Sequence, residues 1–283
     1  MSYRRPTPSS LRLSRTVLIA VAALTAISLI RPGHAASAGM SSSHRTQPGA
    51  QSRMWLPLVS GLARETSTGN RYETIPVTGN PTDRPAASHA DLNLALRGYE
   101  RASAALELVF YNGPTDSGAP QLAGIFADRR VPEFTSAQQV YDWNWSCGPD
   151  GCRGPLLASP PVTLLGMRTR TGEPLAAPSR SAEIYGGGYR SLVLYAEASR
   201  LTLKYTREDN VVRGYTVHLE GLSVDPGLLA LYRQANTAGR SSLPALRNDQ
   251  PLGTASGSEI RVAVRDNGSF LDPRSRKDWW QGY

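Results

Sequence analysis

Between residues 189 and 273, four runs alternate apolar and polar side chains almost without spacer. They are LVLYA from Leu192, LTLKYT from Leu201, GYTVHL from Gly214 and IRVAV from Ile260. A period of two puts every second side chain on one face, so each run predicts a strand buried on one side. Strands this close in sequence pair as antiparallel neighbours through short turns. Suitable turns fall at Ala198-Ser199, at 207–210 and at Asp266-Asn267-Gly268. One segment breaks the pattern: Asp225 is a helix N-cap, Pro226 suits the first helical position, and Leu228, Leu229, Leu231 and Tyr232 form an apolar stripe ended by Gly239. The expected fold class is mainly β, with one prominent helix near the C terminus. An antiparallel sheet module over 161–273 is preceded by a smaller β-rich region over 55–160 and followed by a short tail, 274–283.

The amino end reads differently. Arg4, Arg5, Arg12 and Arg15 precede fifteen mostly apolar residues, 16–30, and then Ala35-Ala36-Ser37-Ala38. A basic start, a short apolar core and small residues at the end predict a secretory signal over 1–38, cleaved after Ala38. The alternative is an uncleaved anchor, the only expected contact with membrane. A bilayer asks for about 20 apolar residues, which favours cleavage. Residues 39–54 are rich in Ser, Gly, Gln and Arg and predict a disordered linker. Export also changes the charge. The chain carries a net +8, but loss of the five arginines in 1–38 leaves 26 basic against 23 acidic residues. With that basicity gone and no basic patch interleaved with aromatics, nucleic acid is excluded as a partner.

In the middle of the chain, ALELVFY from Ala105 and LAGIFA from Leu122 read as short strands, and QQVYDWNW from Gln138 as a third. Cys147 and Cys152 flank Gly148-Pro149-Asp150-Gly151, a turn sequence that folds the chain back on itself. Two cysteines in an exported protein predict a disulfide between Cys147 and Cys152, since no second pair or nearby histidine completes a zinc site. Trp143, Trp145, Trp279 and Trp280 read as a sugar-stacking platform or as core and domain seam, with core favoured for the first pair and an exposed, sticky position for the second, in the tail.

The order of small motifs from Leu164 to Pro273 resembles the lysostaphin-type zinc endopeptidases, which cut peptidoglycan cross-bridges. The similar pieces are GEPLAAP from Gly172, GGGYRSLVLY from Gly186, YTVHL from Tyr215, QPLG from Gln250 and EIRVAVRDNGSFLDP from Glu259. The resemblance implies a zinc held by His, Asp and His. By position those ligands correspond to Leu164, Arg168 and Arg261, and only His218 matches a family histidine, the catalytic one. Hydrocarbon and guanidinium donate no lone pair to a metal. The module is therefore expected to be a degenerate copy without metal, cofactor or catalytic residue, and the protein no enzyme.

Alternation puts Tyr215, Val217 and Leu219 on one face and His218 on the other, where it is expected to be wet. A polar binding groove is expected from His218, Glu259, Arg261 and Tyr215. No nucleophile elbow, phosphate loop or Cys–His pair points to another enzyme class. The expected function is an exported, extracytoplasmic, non-catalytic binding or regulatory protein, its partner a cell-wall polymer or an envelope protein. The alternative is a cell-wall hydrolase whose active site has no recognised signature.

Overall fold

The computed structural model describes residues 69–283. The signal or anchor over 1–38, the linker over 39–54 and the first residues of the β-rich region lie outside the described residues. In chain order the strands are β1 (Glu73–Pro76), β2 (Tyr99–Arg101), β3 (Phe134–Asn144), β4 (Cys152–Leu156), β5 (Leu164–Arg168), β6 (Pro174–Ala176) and β7 (Tyr189–Glu197). They continue with β8 (Arg200–Lys204), β9 (Tyr215–Glu220), β10 (Leu222–Val224), β11 (Ser242–Arg247), β12 (Pro251–Ala255), β13 (Glu259–Asp266) and β14 (Ser269–Leu271). Helix α1 (Pro226–Thr237) follows β10, and a single turn, α2 (Arg276–Trp279), follows β14. The protein is mainly antiparallel β with one prominent helix near the C terminus.

An 11-stranded sheet runs β1-β11-β7-β8-β9-β13-β5-β3-β2, with β14 added to β13 and β4 to β3; β10-β12-β6 form a second, small sheet. The four alternating runs become β7, β8, β9 and β13, neighbours in the centre of the large sheet. Strand β3, from the region read as preceding the module, pairs directly with β5 inside it, so both contribute to one sheet.

Leu203, Val217 and Val264 lie opposite one another on β8, β9 and β13 and face the main core, together with Leu219, Val262 and Leu165. Helix α1 packs on β11 and β7 through Leu228, Leu229, Tyr232 and Ala235. Its start is fixed as expected: Asp225 Oδ1 accepts from the Gly227 amide at 2.8 Å, a cap worth about 1 kcal/mol. The turn between β13 and β14 has Asn267 at φ 47° and Gly268 at φ 84°, the left-handed pair that a two-residue hairpin needs.

Three local expectations are corrected. Residues 105–111 form no strand: Val109 makes one isolated bridge to Ser275, and Phe110 is 77% exposed. The segment 122–127 is a fully buried 3-10 turn over Leu122–Ile125, because a short apolar run carries no periodicity that separates strand from helix. The presumed tail is core at its centre. Trp279 and Trp280 are 1% and 0% exposed, and their indole N–H groups donate to Asp272 O at 2.8 Å and Pro273 O at 2.9 Å. A buried indole needs that partner, and the chain reversal after β14 supplies the carbonyls.

Candidate functional site

The sheet face opposite the main core carries polar residues in three paired rows. Lys204, Thr216 and Arg265 form one row, Thr202, His218 and Ala263 the next, and Arg200, Glu220, Arg261, Gly166 and Ser136 the third. This face is not open to solvent along its length. Residues 90–99 lie over it: Thr202 Oγ1 donates to Leu92 O at 2.6 Å, and Asp91 Oδ1 takes Arg97 and Arg265, each at 2.7 Å. The signal of this roof in the sequence is only the apolar trio Leu92, Leu94 and Leu96 between Asp91 and Arg97, whose spacing of two suggests a strand where the chain forms a 3-10 turn over Leu94–Leu96.

In the third row, Arg261 is the hub. Its Nε donates to Glu259 Oε1 at 2.9 Å, one terminal nitrogen donates to Tyr99 OH at 2.5 Å, and the same nitrogen lies 4.0 Å from Glu220 Oε2. Tyr99 OH in turn donates to Glu220 Oε2 at 3.4 Å. The other oxygen of Glu259 accepts from Thr135 at 2.6 Å and Ser136 at 2.8 Å. Burial works against the Glu259 charge, but these hydroxyls and the Arg261 guanidinium outweigh it and hold the carboxyl below its usual range. Burial and the neighbouring Glu220 charge push the Tyr99 phenol up. Gly166 makes the arrangement possible, since a Cβ there would lie 2.5 Å from Glu259 Oε2 and overlap Ser136. Glu220 is only 6% exposed, and its Oε1 has no hydrogen-bond partner among the described residues.

Glu259 and Arg261 therefore meet as expected. His218 shares their face one row away, but its ring is 1% exposed and sits 3.0 Å from Thr202 Oγ1 and stacked near Phe270. The expectation of a wet histidine is corrected. Alternation decides which face a side chain takes, not whether a loop covers that face. Burial, then the Arg265 charge, pushes the imidazole well below its ordinary pKa, so it is neutral at pH 7. Tyr215 does not belong to the groove. It points to the other face, donates to Asp116 Oδ2 at 2.6 Å and meets Trp279 edge-on.

The zinc implied by the resemblance does not fit this donor set. Leu164 is buried hydrocarbon beside Phe270 and Ala263. Arg168 lies outside, paired with Glu133 at 2.7 Å and bordering an open cleft of about 660 Å³ with Arg130, Arg170 and Glu173. Arg261 is a cation already held by carboxylate. Among the described residues no three of His, Cys, Asp and Glu are grouped to hold a metal.

Cys147 and Cys152 are joined by a disulfide, with Cα atoms 5.4 Å apart. No helix among the described residues is long and apolar enough to cross a membrane. Comparison with protein-family models, with curated proteins and with solved structures finds no match to this chain.

Proposed function

We propose that the chain is an exported, non-catalytic protein of the cell envelope, in which a degenerate lysostaphin-like module over about 164–273 holds a wall fragment or an envelope protein. The observation that carries the reading is Arg261: at a position where the resemblance asks for a zinc-binding histidine, a guanidinium ties Glu259 and Tyr99 together beside Glu220. A cation fixed there repels a divalent metal and leaves a polar surface of hydroxyls and carboxylates suited to hydrogen bonding. Pairing of β13 with β9 and β5, and of β12 with β6, supports the resemblance, because the segments that carry it become spatial neighbours. The disulfide supports an oxidising, extracytoplasmic setting.

The test is metal analysis of the purified protein beside digestion and cosedimentation with insoluble peptidoglycan. The expected result is zinc well below one equivalent, no released fragments, and retention on the polymer that falls at least tenfold in Arg261→Met. Stoichiometric zinc, or wall hydrolysis that disappears in His218→Ala, overturns the reading.

A further inference from the structure

The hairpin of β3 and β4, off the main path of the large sheet, is closed at its tip by the Cys147–Cys152 bridge. Here the tryptophans invert the expectation: those in the presumed tail are buried, whereas Trp145 is 37% exposed and Trp143 is half-buried beside it. An exposed aromatic needs no explanation by itself, but these two are held in place. Trp143 donates its indole N–H to Asp150 O at 3.1 Å, across the disulfide loop. Gly151 is required for that approach, since it has φ 83° and a Cβ there would overlap the Trp143 ring. Trp145 makes edge-to-face contacts with Trp143, 6.2 Å away at 65°, and with His89, 4.9 Å away at 63°. The Arg84 guanidinium lies over one face at 4.6 Å from the ring centre.

We infer that the Trp145 indole, pinned by Trp143, His89 and Arg84 on the disulfide-closed hairpin, is a stacking platform for a β-linked, gluco-configured pyranose chain. Such sugars carry their hydroxyls equatorially, so each ring presents a flat C–H face to an indole and directs its polar groups to the rim. Arg84, on the ring face that it covers, is held bidentate by Asp83 at 2.9 and 3.0 Å, and the Asp150 charge reaches it. Charge decides against a nucleic acid or another polyanion. The charges of Asp83, Asp150 and Asp91 reach the Arg84 guanidinium over Trp145, so the patch lacks the cationic excess that phosphate chains require. Rigidity favours binding as well, because a ring already fixed loses little conformational freedom when a ligand stacks on it.

This site is separate from the Arg261 cluster and depends on the envelope reading only for where the sugar is encountered. The test is calorimetric titration of the full chain with cellotetraose and with tetra-N-acetylchitotetraose, beside cosedimentation with peptidoglycan. At least one oligosaccharide should bind, with affinity reduced at least tenfold in Trp145→Ala and less in Trp145→Phe. Both variants should keep the wild-type unfolding midpoint, and affinity should change less than about twofold between low and high salt. Absence of binding to either sugar, or equal binding by Trp145→Ala, overturns the inference. Oligosaccharide binding lost in Trp145→Ala without retention on peptidoglycan keeps this site and removes the envelope reading. Retention that survives Trp145→Ala and is lost in Arg261→Met does the reverse.

Discussion

Thr202 Oγ1 lies 3.0 Å from His218 Nδ1 at paired positions on adjacent strands, and it spends its own proton on Leu92 O at 2.6 Å. The hydroxyl must therefore accept from the ring, which assigns the Nδ1–H tautomer and leaves the Nε2 lone pair buried without a hydrogen-bond partner among the described residues. Replacing His218 by Ala should cost about 2 kcal/mol through the lost bond and the space left beside Phe270. Urea unfolding measures this; a change below about 0.5 kcal/mol would mean that the ring is in water after all.

The same burial sets a pH dependence. The folded pKa of His218 lies well below its ordinary 6.5. The unfolded chain thus takes up the proton first, and this contribution to stability is complete above about pH 6.5 and lost as pH falls. The stability difference between wild type and His218→Leu should shrink from pH 7 to pH 5. His89, also depressed by burial, is present in both proteins and cancels. A difference that stays constant or grows on acidification contradicts the assignment.

Asp209 and Arg240 form a second buried unit. The guanidinium reaches both carboxylate oxygens, at 2.6 and 2.7 Å, and also bonds Leu194 O at 2.8 Å and Asn236 Oδ1 at 2.7 Å. Their side chains are 0% and 6% exposed. Asp209→Ala strands a buried cation and should destabilise by about 3–5 kcal/mol. Chemical denaturation is the direct check, and a loss under about 1 kcal/mol would show that the arginine escapes to water.

At Gly166 an added methyl collides with Ser136 and Glu259. Gly166→Ala should cost about 1–3 kcal/mol by overpacking and displace the Glu259 carboxylate, raising its pKa toward the ordinary value. Carboxyl chemical shifts followed through a pH titration would report this, and an unmoved Glu259 titration would contradict it.

Much of the architecture is written locally. The alternation of β7, β8, β9 and β13, the Asp225-Pro226 helix start, the Asn267-Gly268 turn and the Cys147–Cys152 loop all depend on residues within a few positions of one another. Backbone sterics and strand periodicity act at that range, so they are readable in one dimension. The neighbourhood of Glu259 and Arg261 was legible for the same reason, as a spacing of two on one strand. What covers each face is a different matter. His218 is dry because residues 90–99 cross above it, Tyr215 is tied to Trp279, and Trp145 is exposed at the tip of the β3–β4 hairpin. Burial comes from segments tens to more than a hundred residues away, and a pattern read along the chain distinguishes two faces without saying which of them meets water. Only the tertiary structure decided that.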